Sequence, residues 1–143
     1  MRKIIVLIIV CLFAKYSNAQ CDKHVVYTSA KEEFTNAKDE IQKVEEDKIT
    51  VKVSDTAVVL THNDDSNDAM KGTIKDMQCN WAEAFKNGKT ILTATVDGGN
   101  GDVHTALIII EGKDGKIVIT LAFNNNPDMK IKAYVDTYEE VAR

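Results

Sequence analysis

The sequence predicts a mainly β protein: an antiparallel meander of seven to nine strands, arranged as a curved sheet, a sandwich or a small barrel. Three observations carry this. Short segments alternate apolar and polar residues. Most are bounded by Gly, Asn, Asp or Ser. Consecutive segments lie close together in the chain, which favours pairing between neighbours. Residues 30–45 are the exception, with a helical spacing.

The first element is a leader. Arg2 and Lys3 precede the apolar run Ile4 to Ala14, and small residues follow at Ser17 and Ala19. This three-part pattern predicts a signal peptide over 1–19 and a single β-rich domain over 20–143. It resembles the signal peptides of exported bacterial proteins. The run is shorter than the roughly 20 apolar residues that a membrane-spanning helix needs. A secreted or periplasmic location follows. Without the leader's Arg2, Lys3 and Lys15, the 18 basic residues fall to 15 against 22 acidic ones, a net charge of −7. Such a balance, with no basic cluster, argues against nucleic acid as a partner. No later segment predicts a membrane span. Cys11 leaves with the leader. Cys21 and Cys79 are the candidate disulfide of an oxidising compartment, and free thiols are the alternative.

Within the domain, His24 to Ser29 is rich in strand formers. Over 30–45, Ala30, Phe34, Ala37, Ile41 and Val44 share one helical face, and Ser29 with Glu32 has the spacing of a capping box. The spacing predicts a helix, with a hairpin around Thr35 to Asp39 as its rival. Ile49, Val51 and Val53 alternate, "SDT" interrupts, and Ala57 to His62 resumes: a hairpin. Met70 to Met77 is a weak strand. In Cys79 to Thr90, Asn80, Glu83 and Gly88 suit a short helix, but Asn87-Gly88 also suits a hairpin turn. The hairpin is preferred, with Trp81 facing Ala94 and Cys79 facing Val96. Ile91 to Val96 is a strand. Val103 to Glu111 and Lys116 to Phe123 flank "GKDG", which pairs Ile110 with Ile119 and Ile108 with Leu121. Asn126-Pro127-Asp128 reads as a turn before a last strand through Met129, Ile131, Ala133 and Val135.

Chemistry-bearing motifs are sparse. "HNDDSND", His62 to Asp68, is rich in the oxygen donors that calcium prefers, but no register places a glycine and a distal glutamate where a helix-loop-helix site needs them. "TVDGGNGDVH", Thr95 to His104, holds three glycines, yet Asp102 comes one position too early for a calcium-binding repeat. It reads as a hairpin tip. Asp64, Asp68, Asp97 and Asp102 are therefore only weak metal candidates, and no metal or cofactor is expected. His24, His62 and His104 lack the spacing of paired ligands on one helix. No serine lies in a nucleophile elbow. No catalytic residue can be named. Trp81 and Phe123 suit the core, while Tyr134 on a polar strand face suits recognition. The function expected is a non-enzymatic, exported module that binds a protein or small-molecule partner. A barrel carrying an apolar ligand is one alternative. A small hydrolase or isomerase with carboxylate or histidine chemistry is another.

Overall fold

The computed structural model describes residues 21–97 and 101–142. The expected signal peptide, 1–19, lies outside these residues, as do positions 98–100 within the glycine-rich stretch. The described chain is almost all strand: β1 (His24–Ser29), β2 (Glu32–Thr35), β3 (Ile41–Glu45), β4 (Ile49–Val53), β5 (Ala57–His62), β6 (Met70–Glu83), β7 (Asn87–Asp97), β8 (Val103–Lys113), β9 (Lys116–Phe123), β10 (Asn126–Tyr134) and β11 (Thr137–Val141). A single 3-10 turn, Ser66–Asp68, precedes β6.

All eleven strands form one antiparallel sheet. Its pairings close on themselves. β1 pairs with β4 on one side and β11 on the other, while β2 pairs with β3 and β10. The register of β1 on β11 continues unbroken into β2 on β10: His24 faces Val141, and Thr35 faces Lys130. β1 and β2 are thus two halves of one long strand, broken at Ala30 and Lys31, and β10 with β11 forms its partner. β4 to β10 pair in sequence between them. The result is an up-and-down barrel of eight long strands. This resolves the three architectures left open by the sequence, and closure removes the exposed edges that an open sheet would carry.

The expected helix over 30–45 is not formed; β2 and β3 form the rival hairpin instead. Asn36 shapes the turn, its side-chain oxygen accepting from the Lys38 and Glu40 backbone N–H groups at 2.9 and 3.0 Å. Asp39 adopts a φ of 62°. Helix propensity is weak and yields to strand pairing when pairing closes a barrel. The apolar positions of the would-be helical stripe are split: Phe34 lines a cleft, whereas Ile41 and Val44 are exposed.

The inner face is filled by Val25, Tyr27, Val51, Val58, Leu92, Ala94, Ala106, Ile108, Ile110, Ile117, Ile119 and Leu121. The "GKDG" hairpin has the expected register, Ile110 on Ile119 and Ile108 on Leu121. Asp114 and Gly115 make its turn, with φ of 52° and 80°. The β6–β7 hairpin exists, but its register differs from expectation. The chain turns at Ala84 to Lys86, so Cys79 faces Thr90 and Trp81 faces Gly88. Gly88 is used beneath Trp81, where a Cβ would lie 2.4 Å from the Trp81 Cα, and not in a turn. The β9–β10 turn falls at Asn124 and Asn125, just before the expected one, and Pro127 sits in an irregular start to β10.

The two barrel ends differ. One carries the β4–β5, β6–β7 and β8–β9 turns and is the more tightly packed, with a smaller cleft of about 260 Å³ beside His24, Ser54, Ala57 and Val141. There Trp81 donates from Nε1 to the Thr90 hydroxyl at 2.8 Å, and Phe85 stacks on Tyr138 at 4.3 Å between ring centroids. Cys21 and Cys79, 58 residues apart, form a disulfide with Cα atoms 5.8 Å apart, tying the segment ahead of β1 to β6. The other end carries the β2–β3, β5–β6 and β9–β10 connections with the end of β7 and the start of β8, and among the described residues it is open.

Candidate functional site at the open end of the barrel

Two adjoining clefts, of about 470 and 440 Å³, occupy the open end and share His62 and Asp68. Both volumes fall in the range of small-molecule sites, roughly 300–1,000 Å³. The first lies between the β2–β3 hairpin and the 3-10 turn. The second lies between that turn and the ends of β7, β8, β9 and β10. Its apolar wall is Met70, Val96, Phe123 and Met129; His104, Asp97, Asn125 and Asn126 supply polar groups.

The first cleft is acidic. Glu32, Glu45, Asp47, Asp65 and Asp68 line it, beside an apolar wall of Phe34 and Ile131. Strand pairing explains the grouping: Glu32 faces Glu45 across β2 and β3, and Ile131 faces Phe34 across β10 and β2. Glu32 is the deepest of these, with 1% of its surface exposed. Both of its carboxyl oxygens are buried without a well-formed hydrogen bond, and His62 and Glu45 are its polar neighbours. His62 Nε2 lies 3.3 Å from its Oε1, an ion-pair contact when the imidazole is protonated. On the other ring edge, His62 Nδ1 lies 3.7 Å from Asp68 Oδ2. Burial pushes the Glu32 carboxyl above the ordinary carboxylate range; the charge of His62 opposes this and Glu45 adds to it. Glu45 is held low, chiefly by its hydrogen bond from Lys43.

The aspartates singled out as weak metal candidates do not act as a set. Asp64 pairs with Lys48 at 2.6 Å, which lowers its pKa. Asp68 lines both clefts and Asp97 lines the second, while Asp102 is exposed at the loop between β7 and β8. Among the described residues, no three His, Cys, Asp or Glu side chains are grouped so as to hold a metal ion. His62 and His104 are brought to the same cleft, while His24 lies beside Asp55 at the opposite end. Tyr134 is exposed over part of its surface, and its hydroxyl donates to Glu33 at 2.8 Å. Sequence reasoning missed Glu32, Phe34 and Glu45. Their only local signal was polar–apolar alternation within a segment that also fits a helix.

No family model matches the chain, and no curated protein does. Fold and site geometry therefore carry the functional argument. No helix among the described residues is long and apolar enough to cross a membrane.

Proposed function

We propose that this protein is an exported, non-enzymatic binding module that holds a small molecule in the open mouth of its barrel. The observation behind this reading is the asymmetry of the ends. One end is packed and tied by a disulfide and holds a smaller cleft of about 260 Å³, while the other opens into two adjoining, larger clefts with mixed apolar and polar walls. An eight-stranded barrel is just wide enough either to be filled by side chains or to hold one small ligand. Here the lower interior takes the first solution and the mouth is shaped for the second. The leader pattern and the disulfide support a secreted or periplasmic location.

Native mass spectrometry of the protein, incubated with a small-molecule extract of its host, tests the reading. The expected result is a discrete added mass, lost in Asp68→Trp, which obstructs both clefts. A clean apo mass throughout overturns it. The arrangement of His62 between Glu32 and Asp68 favours one other reading, a carboxylate–histidine hydrolase or isomerase. The same experiment separates the two. A carried molecule recovered unchanged after prolonged incubation supports binding. Conversion that stops in His62→Ala supports the enzyme.

A further inference from the structure

We infer that the first cleft is a site for an organic ammonium ion with an apolar body, and that the Glu32 carboxylate receives the ammonium. This rests on the mouth-binding reading and adds the ligand's chemistry to it.

Glu32 is the starting point. A buried carboxylate whose two oxygens lack well-formed hydrogen bonds is costly, so such groups are rare in folded chains without a compensating role. Glu32 lines a cleft large enough for a ligand and carries that cost in its wall. A ligand donating N–H groups would satisfy both oxygens.

The surroundings select the sign of the ligand's charge. The cleft lining holds five carboxylates and no Lys or Arg, with His62 as its one basic group. Walls of one charge sign around a concave site focus field and raise the local concentration of the opposite ion. The apolar wall selects the kind of cation. Phe34 and Ile131 stand beside Glu32 and offer an aromatic face and an aliphatic surface. The aromatic face attracts cations.

The chain already places one ammonium on this wall. Lys43 Nζ lies 5.6 Å from the centre of the Phe34 ring and pairs with Glu45. Lys43 occupies the outer carboxylate of the Glu32–Glu45 pair and leaves the inner one without an ammonium partner, its nearest basic group being His62 at 3.3 Å. A ligand ammonium on Glu32 would repeat the Lys43–Glu45 arrangement one step deeper.

Calorimetric titration with phenethylammonium, and with phenethyl alcohol and phenylacetate as matched neutral and anionic probes, tests the inference. The ammonium is expected to bind more tightly than both. Glu32→Gln is expected to weaken it roughly tenfold or more. Asp68→Asn, at an exposed rim position, is expected to weaken it less, which provides a second arm if Glu32→Gln folds poorly. Calcium chloride is expected to compete only weakly. Equal or tighter binding of the alcohol or the carboxylate overturns the inference and leaves the mouth-binding reading standing. So does ammonium binding that neither variant changes. If no probe binds, the inference is overturned, and the native mass spectrum decides the mouth-binding reading on its own.

Discussion

Glu32 and Glu33 are adjacent and have opposite electrostatic fates, because the sheet sends one inward and the other outward. Glu33 accepts from Lys31 and the Tyr134 hydroxyl, and these bonds hold its carboxyl below the ordinary range. Glu32 is pushed above that range by burial. The charged and titratable groups around it are His62, Glu45 and Lys43, with Asp47, Asp65 and Asp68 lining the same cleft. A carboxyl with a raised folded pKa holds its proton more tightly in the folded chain than in the unfolded one. Its charged form therefore costs stability. The cost is absent at pH values below the ordinary carboxylate pKa of 4.5, grows as pH rises towards the folded value, and is complete above it. Glu32→Gln is accordingly expected to stabilise the ligand-free protein at pH 7 and to change little near pH 4. Urea unfolding at the two pH values checks this. A variant equally destabilised at both would show that the carboxyl is held by bonds within the chain, leaving no acceptor for a ligand ammonium.

At the scale of single elements, the β6–β7 hairpin shows how packing overrides a local turn signal. Asn87-Gly88 has the composition of a tight turn. Yet Gly88 and Gly112 sit on neighbouring strands, and together they make the bed on which the Trp81 indole lies. A Cβ at Gly112 would stand 2.7 Å from Trp81 Cζ3. The indole cannot retreat freely, because its N–H is bonded to Thr90. Gly112→Ala is expected to cost about 1–3 kcal/mol through overpacking. Unfolding followed by the fluorescence of Trp81, the chain's single tryptophan, measures it; an unchanged midpoint would mean that the indole is not confined. The same hairpin marks the limit of what the sequence could disclose. Alternation and the Asp114-Gly115 turn located β8 and β9 with their register, because those signals are local. The β6–β7 register depended on a contact between Trp81 and β8, which no local pattern records. The β2–β3 hairpin was legible only as an alternative, since its stabilising partner, β10, lies about a hundred residues away. For that reason Glu32 passed as a helix-capping residue, and the acidic cleft that contains it went unseen.

The molecule as a whole divides its labour between its ends. The disulfide, the Phe85–Tyr138 stack and the Trp81–Thr90 hydrogen bond all lie at the closed end, with the buried aliphatic layers between them and the mouth. Cross-linking positions 58 residues apart removes unfolded-state entropy worth about 4 kcal/mol in the chain-entropy model. Eight-stranded closure is topologically demanding, since the β1–β2 strand finds β10–β11 only after nearly the whole chain is in place. Tying Cys21 to Cys79 shortens that search, because it anchors the start of the closing strand to the middle of the meander. The Cys21→Ser/Cys79→Ser double variant is therefore expected to lose up to about 4 kcal/mol of stability. Its affinity for a ligand at the mouth should stay within about twofold at temperatures where it is folded, since sites that share no partners contribute independently. Thermal unfolding and phenethylammonium titration on the same samples read the two quantities. Stability lost together with affinity would show that the disulfide shapes the mouth, and the division between a closing end and a binding end would fail.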